Sequence, residues 1–188
     1  MKHTFTIMLI CVVHLAFTQD GKIEKEQQVE SSEVPENAFD RVSKNFPEQK
    51  IKWFKELSDK GISFEAKFQN DDHFFSIEFS RDGDLQDTEI TVRFDEVHEK
   101  VKSNLISYFD ENYTKHKILK VQLRFNQPIT EVINYWENPL KSTLLPQFEI
   151  EYIGKNESKN LWEGEFDSKG NLISKRKVIT KSSDTLSY

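Results

Sequence analysis

The stretch FSRDGDL, Phe79 to Leu85, returns as FDSKGNL at Phe166 to Leu172, 87 positions further on. In each copy a phenylalanine ends one run of alternating apolar residues and a leucine begins the next. Between them lies a glycine among turn-forming polar residues. This is the pattern of a β-hairpin whose turn needs a positive φ, a conformation open to glycine at little cost. Phe79, Phe166, Leu85 and Leu172 are expected to point into a core.

Two further segments repeat in the same order. NFPEQKI (45–51) matches NYTKHKI (112–118) at an offset of 67, and FEAKF (64–68) matches FEIEY (148–152) at an offset of 84. Because the offset grows, the second copy carries an insertion of about 17 residues between its first two strands. The unit is legible in the first copy. VPENAFDRVSKNF places Ala38, Val42 and Phe46 at a spacing of four, which predicts a helix stopped by Pro47. Four runs with strand character follow. In two of them Phe64, Ala66 and Phe68, and then Phe75, Ile77 and Phe79, alternate with polar residues. In the second copy Phe94, Val97, Val101, Leu105 and Phe109 recur at helical spacing, with Asp95 in position to cap. The expectation is an α+β protein, a tandem repeat of a helix packed on an antiparallel four-stranded meander sheet. Residues 34–93 form the first module. Residues 94–180 form the second, with an insertion at about 127–146.

The ends differ in composition. Lys2 precedes the apolar run TIMLICVVHLAF, which is shorter than the roughly 20 residues a membrane-spanning helix needs. Residues 1–18 have the length and flanks of a signal peptide, with cleavage near Thr18. A periplasmic or secreted location and no membrane insertion after cleavage follow as expectations. The single cysteine, Cys11, lies within that run, so the mature chain would hold no disulfide and no thiolate metal site. Residues 19–33 are polar and lack aromatics, which predicts a flexible leader, and 181–188 read as a C-terminal tail. Of the 26 basic residues only Lys2 lies in 1–18, so 25 would remain against 32 acids, a net charge of −7. That balance argues against nucleic acid and anionic membranes as partners.

The motifs VPENAFDRVSKNFPEQKIKWFKE, SFEAKF and FSIEFSRDGDLQDTE resemble the PepSY-like, β-lactamase-inhibitor-protein-like (BLIP-like) domains of the bacterial envelope. The likeness covers 34–91 well and 94–178 loosely, where the insertion interrupts it and Thr114 stands for the proline. It implies two tandem modules whose sheets join into a surface that grips a protein. The shared residues specify the fold, so no inhibitory residue carries over with them.

Little in the chain points to chemistry. There is no Gly-rich phosphate loop, nucleophile elbow or His-x-x-x-His pair. His73, His98 and His116 are isolated in sequence. The acidic turns at Asn70–Asp72 and Arg81–Asp84 match no EF-hand spacing, and ordinary turn chemistry accounts for them. The strand carboxylates Glu65, Glu78, Glu149, Glu151, Glu163 and Glu165 alternate with aromatics and are expected on a solvated face. No catalytic residue, metal ligand or cofactor is assigned. Phe54 and Phe74 fall on the face opposite the predicted core and require cover. Tyr135 and Trp136 sit in the insertion as an aromatic pair; either they anchor a partner or Trp136 folds back onto its own sheet. The function expected is non-enzymatic binding of a protein or peptide on the open sheet face through Phe54, Phe74, Tyr135 and Trp136, with inhibition of a secreted enzyme as one form. The alternatives are a periplasmic small-ligand carrier and a structural or dimerisation module.

Overall fold

A computed structural model describes residues 25–58 and 61–178. The proposed signal peptide, its cleavage site and Cys11 lie outside the described residues, as does the C-terminal tail.

Among the described residues, nine strands form one antiparallel sheet in chain order. They are β1 (Lys25–Val29), β2 (Lys52–Ser58), β3 (Gly61–Asn70), β4 (His73–Ser80), β5 (Leu85–Val92), β6 (Lys115–Phe125), β7 (Gln147–Lys155), β8 (Lys159–Phe166) and β9 (Leu172–Lys177). Helix α1 (Glu36–Asn45) separates β1 from β2, α2 (Glu99–Asn112) separates β5 from β6, and α3 (Ile129–Glu137) separates β6 from β7. The sequence predicts two four-stranded meanders, whose sheets the resemblance expects to join; the strands run on into a single sheet. The reason lies at the middle, where β5 pairs with β6 from Thr88↔Phe125 to Val92↔Val121. That pairing satisfies backbone groups that two separate sheets would leave on exposed edges.

Strand alternation sorts the side chains. Phe75, Ile77, Phe79, Ile90, Phe125, Ile150, Tyr152 and Phe166 are buried on one face, and all three helices cover that face. α1 buries Ala38 and Val42, and Phe46 at its end packs at a tilt against Phe68 with ring centres 4.5 Å apart. α2 buries Leu105 and Phe109, and Phe109 meets Tyr152 at 4.7 Å. Burying several aromatic side chains of 150–250 Å² each supplies a large share of the hydrophobic stabilisation. Leu172 departs from expectation: Phe79 and Phe166 are fully buried, but Leu172 is exposed on β9.

Three local differences from the sequence expectations have clear causes. Residues 25–29, within the expected leader, form β1, whose backbone pairs with β2 from Lys25↔Leu57 to Val29↔Trp53. Its side chains are mostly exposed, so composition did not reveal it. Asp95 does not cap α2. Phe94–Glu96 form a short 3₁₀ turn, locked by Arg93 N–H donating to Glu96 Oε2 at 2.7 Å. The cap is His98, whose Nδ1 accepts from Lys100 N at 3.3 Å. The insertion, read without secondary structure, contains α3, which opens after Pro128 and buries Ile129 and Val132.

The two glycine hairpins are built alike. Gly83 and Gly170 have φ of 81° and 84°. Ser80 N donates to Asp84 O at 2.8 Å, and Asp167 N to Asn171 O at 2.9 Å. Ser80 Oγ accepts from the backbone N–H groups of Asp82 and Asp84; Asp167 Oδ1 accepts from those of Lys169 and Asn171.

Candidate functional site

The face away from the helices is open. It bounds a depression of about 740 Å³ whose lining draws on every strand from Glu26 on β1 to Arg176 on β9. Ten carboxylates line it against four cations, Lys67, Lys120, Arg124 and Arg176. The register explains the concentration. Phe54, Glu65, Glu78 and Asp87 stand in one cross-strand row, and Gln122, Glu149 and Glu165 in another.

At the centre the charges form a network. Arg124 bridges two strands: its Nη2 lies 2.8 Å from Asp87 Oδ2 and its Nη1 3.1 Å from Glu165 Oε1. Lys120 Nζ lies 2.8 Å from Glu151 Oε1, and Arg176 Nε donates to Glu163 at 2.8 Å. Gln122 Nε2 donates to Glu89 Oε2 at 2.6 Å. Burial and the nearby carboxylates of Glu149 and Asp87 push the Glu89 carboxyl well above the usual carboxylate range, against the opposing pull of Arg124 and Lys120. Burial would lower Lys120 and Arg124, but their carboxylate partners outweigh it and raise both.

The strand carboxylates lie on the face expected of them, but that face is not uniformly solvated. Glu149 and Glu163 are 8% and 6% exposed and Asp87 is 4% exposed. Long neighbouring side chains and the concavity of the surface take these groups out of water, and charges so placed persist only when paired and hydrogen-bonded.

Near one rim, Glu26, Glu56 and Glu65 bring carboxylate oxygens within 4.8 Å of one another, a spacing compatible with a cation. The Lys67 ammonium already stands there, 2.5 Å from Glu26 and 2.8 Å from Glu65. These interactions raise Lys67, although burial alone would lower it.

The four aromatic candidates do not converge. Phe54 is on the open face, half-buried beneath Lys67 Nζ at 5.0 Å from its ring centre. Phe74, on the same face, is 60% exposed. Tyr135 and Trp136 lie on the helical face: Tyr135 packs on Phe125 at 4.9 Å, and Trp136 sits edge-on to Phe75 at 5.6 Å and to His73 at 4.6 Å. Sequence reasoning missed Asp87, Glu89, Gln122 and Arg124. Their alternation with Thr88, Ile90, Val121, Leu123 and Phe125 was the available signal for their face; nothing in it gave their depth.

No family model and no curated protein matches the chain. Solved structures do. A DUF2874 family protein from Bacteroides ovatus is 16% identical with a TM-score of 0.56, covering 82% of this chain and 94% of that one. "Putative periplasmic proteins" from Bacteroides eggerthii superpose with a TM-score of 0.54 at 16% identity, over 77% of this chain and 88% of that one. A BLIP-like protein from Bacteroides fragilis matches more loosely, with a TM-score of 0.49 at 15% identity. The fold is therefore shared with the first two. No helix among the described residues is long and apolar enough to cross a membrane.

Proposed function

We propose that the protein is an exported, non-enzymatic binding protein that holds a protein or peptide on its open sheet face. The observation that carries this reading is the depression across all nine strands, lined by charged side chains and open to solvent. A surface of this width and polarity suits a macromolecular partner better than a small apolar ligand, which calls for an enclosed pocket. Export is supported by the signal-like residues 1–18 and by the periplasmic description of one structural neighbour. The acid-rich lining favours a basic partner. Phe54 and Phe74 remain binding candidates on this face. Tyr135 and Trp136 would join them only for a partner that wraps the β3–β4 end of the sheet.

Internal duplication is part of the same proposal, with modules at 34–93 and 94–180 and the PepSY-like and BLIP-like relationship drawn from sequence. Its support is positional: Ala38, Val42 and Phe46 correspond to the buried Leu105, Phe109 and Tyr113 at one offset of 67. The carrier alternative draws on a smaller cleft of about 320 Å³ bordered by Phe46, Phe75, Ile133 and Trp136.

Affinity capture from envelope extract tests the proposal. The variant Phe74→Ala/Glu151→Lys alters the open face, and Ile106→Ala alters an exposed site on α2. The open-face variant is expected to lose what the wild type and the α2 variant retain. Equal capture by all three would overturn the assignment of the surface.

A further inference from the structure

A second concavity lies on the helical side of the sheet. It is a cleft of about 320 Å³ where the insertion meets the end of the first helix, a volume at the small end of ligand pockets. α3 contributes Ile133, Trp136 and Glu137 to it; Phe46 follows α1, and Asp71 stands in the turn between β3 and β4. Phe75 on β4 joins the two sides, its ring centre 5.9 Å from that of Phe46 and 5.6 Å from that of Trp136. Phe46 and Phe75 are buried and make the floor. Trp136 is half-buried and keeps ring surface at the cleft.

The charge of the cleft is one-sided. Asp71 and Glu137 are exposed at its border, and no basic side chain of the described residues lines it. His73, which touches Trp136, has its Nε2 3.3 Å from both carboxylate oxygens of Glu96. This combination selects among ligands. An anion would meet two carboxylates. A metal ion or a small primary ammonium would have to shed tightly held water against aromatic rings and Ile133. A neutral apolar molecule would gain nothing from the two charges. A quaternary ammonium group is weakly hydrated, tolerates apolar walls, and is attracted both by an indole ring and by carboxylates.

We propose that this cleft binds a small quaternary ammonium compound, with Trp136 as its aromatic wall and Asp71 and Glu137 as its counter-charges. The same carboxylates discriminate between sources of that group. In a lipid headgroup a phosphate follows the ammonium closely and would be carried towards Asp71 and Glu137, so the occupant is a free compound without such a phosphate. The site is separate from the open face, and either can fail without the other.

Calorimetric titration of the full chain with four small probes tests the cleft. Choline is expected to bind saturably, with a Kd of about 1 mM or below. Its neutral isostere 3,3-dimethylbutan-1-ol, its primary-amine relative ethanolamine, and phosphocholine should each bind at least about fivefold more weakly. Trp136→Leu keeps apolar bulk without the indole ring and should weaken choline about tenfold. Asp71→Asn/Glu137→Gln should weaken it about fivefold; asparagine tolerates the positive φ of 51° at position 71, so the turn is preserved. Glu131→Gln, on the same helix but outside the cleft, should change it by less than about twofold. Thermal unfolding monitors the fold; if Trp136→Leu fails to fold, the double charge variant decides. Absence of choline binding, equal or tighter binding of any of the other three probes, equal weakening by Glu131→Gln, or choline binding that the cleft variants leave unchanged would each overturn the site.

Discussion

Asn104 donates its side-chain N–H to the carbonyl of Lys169 at 2.8 Å, tying α2 to the residue before Gly170. Asn37 does the same from α1, reaching Asp82 O at 3.1 Å beside Gly83. Each helix is thus pinned to the turn of its own hairpin. A Cβ at Gly170 would stand 2.9 Å from the Val101 carbonyl, and one at Gly83 would strike the Asn37 side chain. Gly170→Ala and Gly83→Ala are each expected to cost about 1–3 kcal/mol in urea unfolding. Gly61→Ala should cost less, because a Cβ there meets nothing within 4 Å. Equal losses at all three would mean that backbone strain alone, without the helix contact, sets the cost.

Arg124 holds two strands together through Asp87 and Glu165. Removing it leaves the Asp87 carboxylate without that partner where little water reaches. Arg124→Met should destabilise the protein by about 2–4 kcal/mol, discounted from the full cost of a broken buried pair because the guanidinium is partly exposed. In Arg124→Met/Asp87→Asn the loss should be smaller than the sum of the single changes. An additive pair in chemical unfolding would count against coupling.

Glu89 and Asp167 predict opposite responses to pH. The folded Glu89 carboxyl is raised, chiefly by burial. The stability it contributes is complete below the unfolded carboxyl's value and is lost as pH rises through its own higher one. Glu89→Gln should therefore gain stability relative to wild type as pH rises from about 4 to about 8. Asp167 has a lowered value: slight burial raises it, but hydrogen bonds from Asn171 and Lys169 more than offset that. Its contribution is present above the unfolded value and fades as pH falls through the folded one, so Asp167→Asn should cost more at neutral pH than in acid. Parallel pH profiles for the two variants would refute the assignment.

Phe74 and Trp136 separate surface from scaffold. Phe74 is mostly exposed, and Phe74→Ala should change stability by less than about 0.5 kcal/mol. Trp136 packs against Phe75 and His73, and Trp136→Ala should cost about 2 kcal/mol or more. Thermal unfolding of both distinguishes them; a larger loss at Phe74 would contradict their placement.

Much of the fold was legible because the two similar hairpin segments carried their own punctuation. Phe79, Gly83 and their later counterparts mark hairpins through φ and burial, both local properties that composition reveals. The helix in the insertion was legible in principle, since Ile129, Val132, Ile133 and Trp136 follow Pro128 at helical spacing, but the aromatic pair drew attention to a loop. β1 was not legible: Lys25, Glu26, Gln27 and Gln28 are held by backbone pairing, to which their side chains give no clue. The open face was visible as alternation in Asp87-Thr88-Glu89-Ile90. What escaped was depth, since the burial of Asp87, Gln122 and Glu149 arises from neighbours on strands distant in sequence.

Strand order equal to chain order has a mechanical consequence. β1 and β9 stand eight strand spacings apart, about 38 Å measured along the sheet. Any change in the bend of the surface alters the straight-line distance between those two edges. Optical or spin probes at Lys25 and Lys177 would thus turn the molecule into its own calliper, its reading set by how tightly the strands curl.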